Sequence, residues 1–291
     1  MASGWTNTGS LADSLPTVID AARIVREFEA VMPKLVDRVT LPEGQGLNWD
    51  EISLAKLTAQ TVTESTILDN PQQIQDTLFS ITPTQVGIQT IVTDRTKRRI
   101  SKNVAARMGV LAGNAMERKK DLDGLAVLDS ATTSLNGANT TLDPGTIAAA
   151  ANRIVGNTTE RGMPPLYTVL HSYQVKDIQD VIVSGIGTYA IPTGLTQDTF
   201  RQGFSGSLYN TELYIDGNLP INGDDDAKGG VFAKEAIVLV QGYSPRAESK
   251  REPGFGGGSD VMFMYDEYAY GERSAGNWLY EIISDATAPT A

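Results

Sequence analysis

Apolar side chains recur at Ile100, Val104, Met108, Leu111, Ala115, Leu122 and Leu125, in steps of three, four or seven. That is the period of an amphipathic helix. A helix over residues 100–129 would be ~45 Å long at ~1.5 Å per residue, which is long for a globular domain. Asp94 and Ser101 are its candidate caps, and a basic run of Arg95, Lys97, Arg98, Arg99 and Lys102 leads into it. Gly109, Gly113 and Gly124 would each cost about 1 kcal/mol against Ala in a free helix. Packing must therefore hold this helix straight, or a neighbour approaches closely enough to require the glycines. A second apolar face, Val18, Ile19, Ala22, Val25, Phe28 and Met32, predicts a helix over residues 17–32, opened by Pro16 and ended by Pro33.

Between these helices the pattern changes. Residues 35–39 and 86–92 alternate as strands do. Residues 41–75 are polar, Thr-rich and weakly periodic, yet they keep Trp49, Ile52, Leu54, Leu57, Ile67, Leu68 and Ile74. So apolar a connection is not plain disorder. A long hairpin that buries those side chains on another subunit reconciles the two features.

After the long helix, residues 128–142 read as a Ser/Thr/Asn/Gly linker. Pro144 opens a helix over 146–155, residues 166–170 form a buried strand, and Ser172 caps a helix over 172–183. Residues 184–202 are a Gly/Pro-punctuated loop. Strands follow at 208–215 and 231–240, with an acidic turn at 224–226. Two extended runs within 243–272 flank Gly254, Phe255 and Gly256, and residues 278–283 form the last strand. The fold class is α+β.

Composition narrows the function. The chain has 291 residues, 41% of them hydrophobic, enough for a core, and a net charge of −11. Phosphate repels such a chain, so tight binding of bare nucleic acid is not expected. The absence of cysteine excludes disulfides, thiolate metal sites and a cysteine nucleophile. The first residues show no basic and apolar leader pattern, and no stretch is apolar enough to span a membrane. Residues 1–13 read as a polar arm around Trp5.

Candidate chemistry is sparse. The single histidine, His171, sits at a strand-to-helix junction where a general base could stand, but no G-x-S-x-G precedes it. A structural cap is the plainer reading. Asp216, Asp224, Asp225 and Asp226 do not have the spacing of a calcium loop and read as a solvated turn. The glycines near 254–258 precede no helix with a Lys-Ser/Thr pair, so they read as a loop tip rather than a phosphate cradle. Arg95, Arg98 and Arg99 stand where the helix dipole disfavours cations, which suggests carboxylate partners such as Glu43, Asp50, Glu51 or Glu64 across a subunit boundary. Arg246, Glu248, Lys250, Arg251 and Glu252 read as a solvated strand face or as an inter-subunit ion-pair seam. No catalytic constellation stands out, and no metal or cofactor is expected.

Four segments carry a resemblance. They are FSITPTQVGIQTIV at 79–92 with the long helix behind it, YTVLHSYQ at 167–174, GSLYNTELYIDGNLP at 206–220, and GVFAKEAIVL at 230–239 with the closing stretch 265–281. In this order and spacing the chain resembles the major capsid protein of tailed bacteriophages, although Ser172 stands where many relatives carry Pro. The resemblance implies an α+β tailed-phage capsid fold with four parts: an N-terminal arm (1–38), an extended E-loop hairpin (39–92), a peripheral domain with the long spine helix (93–143 and 243–272), and an axial domain (144–242 and 273–291).

It also implies a non-enzymatic shell subunit that assembles with itself into hexamers and pentamers, enclosing double-stranded DNA without reading its sequence. Further implied partners are a portal and a separate scaffolding or decoration protein; the location is the virion, after assembly in the host cytoplasm. Inter-subunit contacts would come from Trp49, Ile52, Leu54, Lys56 and Leu57, inter-subunit charge from Arg95, Arg98, Arg99, Arg246, Glu248 and Arg251, and a peripheral tip from Gly254, Phe255 and Gly256. Some relatives join subunits through a Lys–Asn isopeptide, for which Lys56 is the lysine in the E-loop; the plainer reading is a surface lysine. Two other readings stand beside the shell: an encapsulin-like compartment, and a small α/β enzyme using His171.

Overall fold

The computed structural model describes residues 27–44, 46–64, 71–99, 104–185, 206–274 and 276–289. The arm at 1–13, Ser101, Lys102, Ile67, Leu68 and the loop at 186–202 lie outside them. Of the helix expected over 17–32, residues 27–31 are irregular, and Met32 instead opens a short helix, α1 (Met32–Leu35), with Pro33 in its first turn. Proline fits there because that N–H has no helical partner.

The chain enters through α1 and β1 (Asp37–Thr40), then forms an antiparallel hairpin, β2 (Trp49–Leu54) with β3 (Asp76–Ile81). Strand β4 (Thr84–Thr93) leads into α2 (Asp94–Arg99) and the long helix α3 (Val104–Asp129), whose 26 residues span ~39 Å. Next come β5 (Ser134–Asn136), α4 (Pro144–Val155), β6 (Leu166–Leu170), α5 (Ser172–Gly185), β7 (Ser207–Leu208), β8 (Thr211–Ile215) and β9 (Asp226–Ala233). Strands β10 (Ile237–Glu252), β11 (Ser259–Glu272) and β12 (Leu279–Asp285) complete the described chain. One sheet has the order β1-β10-β11-β4 and a six-stranded sheet the order β5-β12-β9-β6-β8-β7.

Three stretches differ from the hydrophobic reading for definite reasons. The run 231–240 is two strands, because the 3-10 turn Lys234–Ala236 carries the chain from the six-stranded sheet into the four-stranded one. Val231, Phe232, Ala233, Ala236, Ile237 and Val238 are all fully buried around that crossing, which is why the run looks continuous. The run 208–215 is a tight hairpin: Tyr209 and Asn210 take φ of 49° and 64°, the twist that a two-residue connection needs. The polar stretch 128–142 contains β5, which pairs in parallel with β12.

Helix α3 packs against both sheets, and Leu125 and Leu128 enter the main core with Phe232, Leu239, Leu279 and Ile282. Its buried stripe matches the expected one at Leu125 and departs from it elsewhere. Leu111 and Leu122 are exposed, Met108 is half-buried, and Ala112, Asp121, Leu125 and Leu128 face inward. Small residues and a carboxylate line part of that stripe, and hydrophobic periodicity does not register them. Gly124 is where a close approach requires glycine: a Cβ there would lie 2.7 Å from Met32 Cβ and 3.2 Å from Tyr270 Cζ. Gly113, by contrast, faces open space.

Candidate assembly interface

Successive residues of a strand point to opposite faces, and in the β2–β3 hairpin both faces carry apolar groups. One face, with Trp49, Glu51, Phe79 and Ile81, turns toward the body of the chain. Trp49 pairs with Ile81 in register and meets Phe79 edge-on at 6.2 Å. Ile81 is buried against Val238 and Val240, with Val39, Leu41, Trp49 and Phe79 around them. Trp49, expected to contact a neighbouring subunit, is therefore packed at the hairpin's root within its own chain.

The opposite face carries Ile52, Leu54 and Leu78. Ile52 stands directly across from Leu78, and these are 62% and 63% exposed. Leu54 is 70% exposed, and Leu57, Val62 and Ile74 further along are also exposed. Burying one such side chain fully is worth about 1.5–3 kcal/mol. Together they form an apolar surface of the kind that marks a protein contact.

Arg273 holds the root in place, a role that sequence reasoning missed. Its Nε donates to Glu51 across 2.7 Å and its Nη1 to Asp37 across 2.9 Å, while its guanidinium lies 5.7 Å from the centre of the Trp49 ring. No local pattern marks Arg273, because its partners come from distant parts of the chain. Below the hairpin, Glu51, Phe79, Leu78, Arg273 and Trp278 line a cleft of about 390 Å³. Lys56 donates to the carbonyl of Thr158 across 2.6 Å, so its ammonium has a carbonyl partner inside the chain.

The charged residues divide. Arg251 bridges Asp94 and Asp260, and Lys97 also pairs with Asp260, so the charge of Arg251 is met within the chain. Arg251 holds the Asp94 carboxyl below its usual range; Lys97 and then Arg251 do the same for Asp260. Arg246 lies 3.6 Å from Glu248 on the exposed half of β10 and 5.2 Å from the centre of the Tyr243 ring. Arg95, Arg98 and Arg99 are exposed on α2.

Gly254, Phe255 and Gly256 form an ordered turn closing the β10–β11 hairpin. Gly256, Gly257 and Gly258 all take positive φ, and the Gly258 carbonyl accepts from the Asp94 N–H at 2.8 Å. The tip is thereby tied to the start of α2.

His171 caps α5, where Ser172 was expected. Its Nδ1 accepts from the Tyr173 N–H at 3.3 Å, and the Gln174 Oε1 accepts from the His171 N–H at 2.9 Å. This is the reciprocal arrangement of a capping box. Gln174 Nε2 then donates to the Ala227 carbonyl and to Ser284 Oγ, tying the helix to two strands. Burial lowers the pKa of His171. In the acidic turn, Asn222 Oδ1 accepts from the N–H groups of Asp224 and Asp226, each at 2.9 Å, and Asp226 is buried. Among the described residues, no group of three or more His, Asp or Glu could hold a metal ion, and no helix is long and apolar enough to cross a membrane.

No family model and no curated protein matches the chain. Solved structures match it along most of its length. It is similar to a structure from Mycobacterium phage Che8, with a TM-score of 0.69, 16% identity, and coverage of 90% of this chain and 93% of that one. For the capsid of cyanophage P-SCSP1u the values are 0.69, 12%, 92% and 92%. For the mature capsid of bacteriophage PhiM1 they are 0.67, 13%, 92% and 90%. At such identities the likeness is one of fold.

Proposed function

We propose that this chain, which has the fold of phage capsid subunits, is a structural, non-enzymatic building block of a tailed-phage shell. The observation that carries the reading is the exposed apolar face of the hairpin, Ile52, Leu54 and Leu78. A chain that acts alone gains nothing from that surface, whereas a closed shell buries it on every copy. The hairpin is then the E-loop, residues 39–92, and its outward face with Leu57 rests on the neighbouring subunit. Residues 1–38 act as the N-terminal arm, 93–143 and 243–272 as the peripheral domain, and 144–242 and 273–291 as the axial domain.

Hexamers and pentamers of the chain make an icosahedral shell in the virion, assembled in the host cytoplasm around double-stranded DNA. A portal and a separate scaffolding or decoration protein complete it. Arg95, Arg98 and Arg99 meet carboxylates of the next subunit, and Gly254, Phe255 and Gly256 form the peripheral tip. The acidic net charge suits a container that packages DNA without gripping it.

The test is the particle size of the purified protein, alone and co-expressed with its scaffold, by light scattering and negative-stain microscopy. Closed shells of tens of nanometres, or capsomers that close on concentration, are expected. A monomer of about 31 kDa under both conditions would overturn the reading.

A further inference from the structure

Two carboxylates meet in the interior. Asp121, in the middle of α3, and Asp216, just after β8, are 0% and 1% exposed, and their carboxyl groups lie against each other. Asp121 Oδ1 accepts from the backbone N–H groups of Val31 and Met32, at 2.8 and 2.9 Å. Its Oδ2 accepts from Asn218 Nδ2 at 2.9 Å, and Asp216 Oδ1 accepts from the Asn218 N–H at 2.8 Å. Asp216 Oδ2 is buried without a hydrogen-bond partner. The same loop touches the entering chain once more: a Cβ on Gly217 would lie 2.3 Å from Phe28 Cζ. Three parts of the molecule, the segment 28–32, the long helix and the loop 216–220, thus converge on one carboxyl pair.

The nearby charges are engaged elsewhere. Arg118 of α3 pairs with Glu27, Lys34 with Glu29 and Lys120 with Asp266, while Arg38 Nε donates to the Pro33 carbonyl. Among the described residues Tyr270 of β11 also faces Asp121, with Tyr268, Arg38 and Asp123 near its ring; burial, then the charge of Asp121, raises the Tyr270 hydroxyl so that it stays neutral. Two ionised carboxylates in contact in a dry site repel and lack solvation. A single proton on Asp216 resolves both problems: its O–H then donates to Asp121, and the orphaned oxygen has a partner.

We propose that Asp121 and Asp216 form a proton-operated latch, closed while a proton on Asp216 bridges the two carboxyl groups and loosened when that proton leaves. Closed, the latch holds the segment 28–32 and the loop 216–220 on the long helix. When the proton leaves, Asp216 turns toward water, taking Asn218 from Asp121 and weakening the seat of Val31 and Met32. Burial, and then Asp121, push Asp216 from an ordinary 3.8 up to about 7. Because the native state holds the extra proton between these values, the latch contributes fully below about 3.8 and is lost as pH rises through about 7.

Hydrogen exchange of the full chain, corrected for intrinsic rates, tests this between about pH 5.5 and 8.5. Protection of the Val31 and Met32 amides and of the loop 216–220 should fall roughly tenfold or more with rising pH in the wild type. In Asp216→Asn, which mimics the neutral form, it should be high and independent of pH. Equal pH dependence in both proteins, or none in the wild type, would overturn the proposal. If Asp216→Asn does not fold, infrared spectroscopy of the wild type decides. A buried protonated-carboxyl band that fades near pH 7 supports the latch; its absence at about pH 5.5 sinks it.

Discussion

Arg273 Nε donates to Glu51 across 2.7 Å, joining residues 222 positions apart in sequence. This bond, with the Arg273–Asp37 pair, fixes the base of a hairpin whose outer face is exposed among the described residues. The Arg273 side chain is 16% exposed and the Glu51 side chain 38%, so the pair is shielded on the arginine side only. Arg273→Ala should destabilise the chain by about 1–3 kcal/mol in urea unfolding. A cycle with Glu51→Ala should return a coupling of about 1 kcal/mol. Additive effects would mean that the hairpin root holds without this bond.

The two faces of the hairpin predict opposite phenotypes. Ile52→Asp and Leu57→Ala alter exposed positions and should leave the unfolding midpoint of the unassembled chain nearly unchanged, while blocking shell formation in microscopy. Trp49→Ala empties the root and should lower stability by about 2–4 kcal/mol. Normal shells from Ile52→Asp would remove the hairpin's outer face from the assembly reading.

Glycines of the long helix separate propensity from packing. Gly113→Ala enters open space and should raise stability by up to about 1 kcal/mol. Gly124→Ala drives a methyl into Met32 and should lower it despite the same gain in propensity. Thermal melts of the two variants should therefore shift in opposite directions. A shift of both the same way would contradict the helix placement.

The histidine cap titrates in the opposite sense from the carboxyl latch. Burial lowers the folded pKa of His171, so the unfolded chain binds more protons just below the ordinary value of 6.5. This contribution is present above 6.5 and is lost as pH falls through the folded value. His171→Gln should flatten the acid side of the stability profile, and Asp216→Asn the side between 3.8 and about 7. An unchanged acid limb in His171→Gln would show that the imidazole takes up its proton equally in both states.

The sequence by itself determined where most elements lie: the long helix, the strand at 166–170, the helix that Pro144 opens, and the extended runs that became β4 and β11. It also marked the hairpin as too apolar to be idle, because surplus hydrophobic side chains on a stretch without a core are visible in one dimension. Tertiary structure decided which face each element buries. Leu111 and Leu122 lie outward while Asp121 lies inward, because α3 spans two sheets and its contacts select small and polar partners there. It also decided that Trp49 belongs to the root, that Arg251 is paired at home, and that a 3-10 turn moves one apolar run between sheets. Arg273, Asp121 and Asp216 owe their roles to partners tens to hundreds of positions away. A local pattern reports the period of an element, whereas a buried charge takes its meaning from the groups that folding brings against it.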